Sequence, residues 1–160
     1  MTARPGDLAI RPAGSGDYPA VRAIAEAASR AAPRADVAGR AGQDAQRTVT
    51  PETFASCVQD GHSYVATVQG AVVGYLLTQP IAFADLAPLT LWVEDIAVHP
   101  AHRRRSIATA LYRTLGAGAR AAGVQGVLVR LRRDDVAGHT LHRRVGFEPH
   151  IADTFVWRFD

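Results

Sequence analysis

The chain predicts a mixed α/β (α+β) fold in which antiparallel and parallel strands share a β-sheet. Three observations carry that expectation. Two β-patterned runs, residues 63–68 and 71–77, flank Gln69-Gly70, the turn pair of a hairpin. A strand-like run at residues 89–98 leads through a basic loop into a helix-periodic stretch. Another strand, Val127-Leu-Val-Arg-Leu131, follows at the distance that suits a right-handed parallel crossover.

The elements follow in order. Leu8-Ala-Ile-Arg11 alternates and reads as a short first strand. Pro12 to Gly16 turns the chain. Ser15 or Asp17 is placed to cap a helix with Pro19 in its first turn, whose apolar stripe is Val21, Ile24, Ala25 and Ala28. Residues 31–49 have no period and read as a long mobile loop. Thr50-Pro51 opens a second helix, buried along Phe54, Cys57 and Val58 and stopped by Asp60-Gly61. The hairpin comes next, with Gly74 marking a bulge or a close backbone approach. Along the following strand, strict alternation puts Thr90, Trp92, Glu94, Ile96 and Val98 on one face. Leu91, Val93, Asp95 and Ala97 fall on the other, so Glu94 and Asp95 share a cleft only if a bulge intervenes.

Pro100 has no N–H for the ladder and ends that strand. Three arginines and Ser106 precede a helix with apolar positions Ile107, Ala110, Leu111 and Leu115. Gly118 weakens this helix and Gly123 ends it. Asp134 or Asp135 caps a last helix that Gly146 stops, with Phe147 packing back. Phe155, Trp157 and Phe159 alternate in a terminal strand. The order is β-α-α-β-β-β-α-β-α-β in a single domain, residues 1–160.

Composition narrows the function classes. With 48% apolar and 21% charged residues in 160, the chain is globular rather than disordered. No apolar run approaches the ~18 residues of a membrane span, and the first residues lack a signal-peptide core. One cysteine, Cys57, excludes an intrachain disulfide and suits a reducing cytoplasm. All 18 basic side chains are arginine, so lysine Schiff-base chemistry is excluded. The arginines cluster at 103–105, 130–133 and 143–144, which favours a local anionic partner. No nucleic-acid motif accompanies them. His99 and His102 are separated by Pro100 and do not make a metal site.

A helix start carries unpaired amides and about half a positive charge. Arginines just ahead of it deepen that anion site. Here it lies a few residues beyond Glu94-Asp95, so a phosphate cradle stands beside a candidate base.

The run from Val93 to Ala108 resembles the cofactor-binding motif of the GNAT superfamily of acyl-CoA-dependent N-acyltransferases. That motif reads Arg/Gln-x-x-Gly-x-Gly/Ala; here it is Arg103-Arg104-Arg105-Ser106-Ile107-Ala108, with serine for the first glycine. Asp135 to Phe147 resembles the family's Asn-x-x-Ala-x-x-Leu-Tyr-x-x-x-Gly-Phe block, with Asp135 for the Asn and His142 for the Tyr. The resemblance implies the GNAT fold, a central twisted mixed β-sheet of six to seven strands with about four helices packed on both faces, and acetyl-CoA as co-substrate. It implies that the pyrophosphate meets the amides of Arg104, Arg105, Ser106, Ile107, Ala108 and Thr109, with Arg103 nearby. The pantetheine arm would lie along Ile96, Ala97 and Val98. Asp135 stands at a cofactor-contact position, although a carboxylate there would repel phosphate and suits a helix cap better. Glu94 is implied as general base and His142 as general acid, the plainer reading of His142 being a helix histidine bonded to backbone. The implied activity is acetyl transfer to a primary amine of a small molecule or peptide. The alternative is a catalytically weak or inactive acyl-CoA-binding sensor. No nucleic-acid or membrane partner is expected, and a homodimer stays open.

Overall fold

The computed structural model describes residues 8–31, 49–82, 89–131 and 135–149. The chain divides into two compact units, Met1–Arg130 and Leu131–Asp160.

The first unit is built on a five-stranded sheet, β1 (Leu8–Pro12), β2 (Tyr64–Val68), β3 (Ala71–Ile81), β4 (Thr90–Val98) and β5 (Gly126–Leu128), ordered as in the chain. The pairings are antiparallel except β4 with β5, which is parallel. Helices α1 (Tyr18–Arg30), α2 (Pro51–Val58) and α3 (Ile107–Ala121) cover it. The expected element order is present as far as the last helix, and the sheet has five strands among the described residues rather than the six to seven expected. The terminal strand expected at 151–159 lies outside them, as does most of the loop expected at 31–49.

The β2–β3 hairpin turns where its sequence dictates. Gln69 (φ 51°) and Gly70 (φ 81°) are both left-handed, as a two-residue turn that matches strand twist requires. α2 starts as read: the Thr50 hydroxyl accepts from the Thr53 amide at 3.2 Å and Pro51 occupies the first turn. α1 starts differently. Neither Ser15 nor Asp17 caps it with a side chain. The Asp17 carboxylate is taken by the Arg11 guanidinium at 2.6 and 2.7 Å and by the Gly14 amide at 2.9 Å. That ion pair ties β1 to the start of α1 and holds the Asp17 carboxyl below its ordinary range.

Two layers sandwich the sheet. Val21, Ile24, Ala25, Phe54 and Cys57 from α1 and α2 pack with Val65, Tyr75 and Leu77 on one face. On the other, α3 buries Ile107, Leu111, Tyr112, Leu115 and Ala119. Gly118 belongs to this packing: a Cβ there would collide with the Tyr64 hydroxyl. Its cost in helix propensity is offset by room for a β2 side chain.

In the second unit, α4 (Val136–Val145) is capped by Asp135, whose carboxylate accepts from the Gly138 amide at 2.8 Å. Gly146 (φ 101°) ends it.

Candidate active site

The site begins with an irregularity in β4. Leu77 of β3 faces Asp95 and Thr78 faces Val93, so Glu94 is one residue too many for its partner strand. This β-bulge resets the alternation. Directly opposed residues share a face. Gln79, opposite Trp92, donates from Nε2 to Cys57 Sγ at 3.5 Å, which puts Trp92 on the α1–α2 side. Beyond the bulge, Asp95 and Ala97 face Leu77 and Tyr75 and so point to that same side. Even-numbered residues face α1 and α2 before the bulge, and odd-numbered ones do so after it.

Strict alternation, which separates Glu94 from Asp95, is thus overturned at this point. The buried Cys57 thiol of α2 is pushed up first by burial, against the lowering effect of the Gln79 hydrogen bond, and further by the charges of Glu94, Asp60 and Asp95, while Asp95 also raises Tyr112 of α3. Glu94 is exposed and Asp95 half-buried. Tyr75, fully buried in β3, donates its hydroxyl to Asp95 Oδ2 at 2.6 Å, and the Ile96 amide donates to Oδ1 at 3.0 Å.

Among the described residues, the far edge of β4 is paired over only part of its length. β5 pairs only with Thr90–Trp92. Among the described residues, Ile96, Ala97 and Val98 have no ladder partner on the β5 side. Gly74 brings β3 close beneath this segment: a Cβ there would lie 3.2 Å from the Ala97 carbonyl oxygen and 3.3 Å from Ile107 Cγ2. The predicted close approach at Gly74 is present, and a second bulge adds Val73 to β3 just before it.

The chain then turns sharply into α3. The His99 amide donates to the Val73 carbonyl at 2.8 Å, and a 3-10 turn spans Pro100–His102. Arg103 Nε donates to the Val98 carbonyl at 3.4 Å. Arg104 (φ 60°) and Ser106 (φ 59°) both adopt left-handed backbone. Arg103, Arg104, Arg105 and Ser106 are exposed, whereas Ile107 is buried and pins the helix start to the sheet. The Ser106 side chain caps no amide. The first amides of α3 thus lack both an intrahelical acceptor and a serine cap, and three exposed arginines precede them in the chain. Burial, then Arg105 and His99, hold the His102 imidazole below its ordinary value, so it adds no charge to this cradle near neutral pH.

The sequence-selected residues therefore fall into two sets. Glu94, Ile96, Ala97, Val98 and Arg103 to Thr109 form one continuous strand–loop–helix path in the first unit. Asp135 and His142 belong to the second. Asp135 caps α4, which agrees with the preference drawn from its charge. His142 is buried, donates from Nδ1 to the Gly138 carbonyl at 2.7 Å and lies edge-on to Phe147, ring centroids 5.2 Å apart. Sequence reasoning missed Tyr75. Its signal was a tyrosine amid aliphatic strand residues, whose hydroxyl must find a partner once buried. Among the described residues no three His, Cys, Asp or Glu side chains converge as a metal site, and no helix is long and apolar enough to cross a membrane.

The family match spans this strand–loop–helix path and most of the rest of the chain. Residues 23–147 match the acetyltransferase (GNAT) family. The chain belongs to that family. None of the curated protein sequences compared with it matches. Solved structures of the GNAT fold superpose over nearly the whole chain. An aminoglycoside acetyltransferase from an uncultured soil metagenomic sample, in complex with sisomicin, has a TM-score of 0.72 at 15% identity, covering 97% of this chain and 98% of its own. The aminoglycoside acetyltransferase AAC(6')-Iy, in complex with a CoA-containing bisubstrate analogue, gives 0.68 at 16% identity, with 96% and 98% covered. A ribosomal-protein-alanine N-acetyltransferase from Brucella melitensis gives 0.67 at 21% identity, with 96% and 99% covered. At these identities the GNAT likeness is one of fold.

Proposed function

We propose that the chain is an N-acetyltransferase that moves the acetyl group of acetyl-CoA directly onto a primary amine in a ternary complex. The observation that carries this reading is the run of open β4 edge into the uncapped start of α3. A pyrophosphate is suited to the amides of Arg104 to Thr109 with Arg103 beside them, and a pantetheine amide chain to the free edge at Ile96 to Val98. The acyl carbon then falls near the β4 bulge. AAC(6')-Iy bound to its CoA bisubstrate analogue supports the same cofactor.

The energetic need is deprotonation of the amine. A primary alkylamine has a pKa near ~10.4, so about one molecule in 10³ is neutral at pH 7, a cost of about 4–5 kcal/mol. Glu94, exposed at the bulge, is the proposed acceptor of that proton. The amine nitrogen attacks the thioester carbonyl, the C–S bond breaks, and the thiolate takes a proton, for which His142 is the proposed donor. The acceptor is a small-molecule or peptide amine.

The test is release of free thiol from acetyl-CoA with a panel of amines, aminoglycosides, polyamines and N-terminal peptides. Wild type should release CoA with at least one of them. Glu94→Gln should lose that release while acetyl-CoA still raises the melting temperature. Unchanged turnover in Glu94→Gln overturns the base assignment. Acetyl-CoA binding without turnover on any acceptor favours the second reading, a non-catalytic acyl-CoA-binding module. One observation favours that module: the ring of His142, at the family's tyrosine position, is buried and bonded to its own helix.

A further inference from the structure

We propose that Tyr75 is a positioning residue for the acceptor: its hydroxyl fixes the Asp95 carboxylate next to Glu94 at the β4 bulge, and Asp95 holds the incoming ammonium group before Glu94 takes its proton. The proposal rests on the acetyltransferase reading above and assigns its site a cationic amine as substrate class.

Two features bring Asp95 into play, and both are local. Without the extra residue at Glu94, Asp95 would face α3. With it, Asp95 faces α1 and α2, directly after the exposed Glu94. A carboxylate turned toward an apolar layer needs donors, and it has them on both oxygens: the Tyr75 hydroxyl at 2.6 Å and the Ile96 amide at 3.0 Å. The first is a short, charge-assisted bond, the kind that fixes direction as well as adding energy. Tyr75 is itself fully buried, with its ring packed in the α1–α2 core. Its phenol therefore cannot follow Asp95 if the carboxylate moves, and the ring acts as a rigid post.

The two carboxylates then divide the work. Half-buried Asp95 has a set direction and a weaker competing hydration shell, which suits binding of a cation. Exposed Glu94 exchanges protons with water, which suits a base that must reset each cycle.

The experiment measures KM for the amine and for acetyl-CoA separately in wild type, Tyr75→Phe and Asp95→Asn, with melting curves as a control of folding. Tyr75→Phe, which keeps the ring, should raise the amine KM about tenfold, as expected for loss of one bond to a charged group. Asp95→Asn should raise it further, and KM for acetyl-CoA should move less than about twofold in both. A purely structural bond would leave both KM values alone or move them together, and either outcome overturns the proposal. Should Tyr75→Phe fail to fold, the Asp95→Asn result decides alone. Wild type without turnover on any amine removes the acetyltransferase reading and the proposal with it. Wild-type turnover with an unaltered amine KM in the variants removes only the proposal.

Discussion

Ser106→Gly should make this protein more stable, although it deletes a side chain at a helix start where serine is normally an asset. The reason is backbone conformation. Ser106 sits at φ 59°, ψ 16°, and its hydroxyl caps no amide that would compensate. A left-handed L-residue with a Cβ costs about 1–2 kcal/mol. Glycine escapes that cost but has more freedom to lose from the unfolded chain, about 0.4–1 kcal/mol. The balance is a gain of roughly 0.5–1 kcal/mol, or about 1–3 °C in melting temperature for a domain of this size. The second consequence is functional. Without a Cβ an anion approaches the amides more closely, so acetyl-CoA should bind the variant more tightly. Differential scanning calorimetry and titration calorimetry read the two effects separately. Ser106→Val supplies the opposite arm: a β-branched residue fits left-handed backbone worst and should melt lower than wild type. A Gly variant that melts at or below wild type, alongside a Val variant no worse, would refute the strain argument. Added stability without tighter cofactor binding would leave the strain argument intact and refute the role given to the serine Cβ.

Three further outcomes follow from packing and charge. Gly118→Ala should destabilise by about 1–3 kcal/mol through collision with the Tyr64 hydroxyl, and Tyr64→Phe in the same chain should recover part of that loss in a double-mutant cycle. Asp17→Asn should cost about 1 kcal/mol in urea melts, a modest figure because Arg11 is half-exposed. Since the folded Asp17 carboxyl is lowered, its contribution is present above the unfolded value and is lost as pH falls through the folded one, so the wild-type advantage should vanish in acid. Cys57 runs the other way: its folded thiol is raised, so its contribution is present below the unfolded value and is lost as pH rises through the folded one. Iodoacetamide at neutral pH should therefore label Cys57 only when urea opens the fold.

The parts legible in the sequence were those set by local chemistry. Gln69-Gly70 specifies its turn because only a few residues tolerate two left-handed positions. Thr50-Pro51 specifies a helix start through one hydroxyl and one fixed φ. Val21, Ile24 and Ala25 show their buried stripe through spacing alone. What failed was set at longer range. Local pattern makes Asp17 a helix cap, because Arg11, its stronger partner, lies across a turn whose geometry that pattern does not report. Gly118 was read as a weakness because the side chain it accommodates comes from β2, more than fifty positions earlier. β5 was read as longer than its three residues because nothing in Val129 to Leu131 signals that β4 has turned away from it.

The bulge at Glu94 joins these two kinds of information. Alternation is a rule about a strand by itself, whereas a bulge exists only relative to the strand beside it. Leu77 and Thr78 are consecutive in β3, yet their partners in β4 are two apart. Both strands are apolar enough to satisfy either register over most of their length, so composition cannot choose between them. The burial of Tyr75 does bear on the choice. In the unbulged register Asp95 would turn toward the α3 layer, and the Tyr75 phenol would lose its carboxylate. In the bulged one a single hydrogen bond satisfies both groups. The bond proposed to orient the substrate is thus also one that favours the register, and Tyr75→Phe should loosen the bulge as well as weaken amine binding. Hydrogen exchange at the Glu94 to Ile96 amides, faster in the variant than in wild type while α3 keeps its protection, is the expected sign of that coupling.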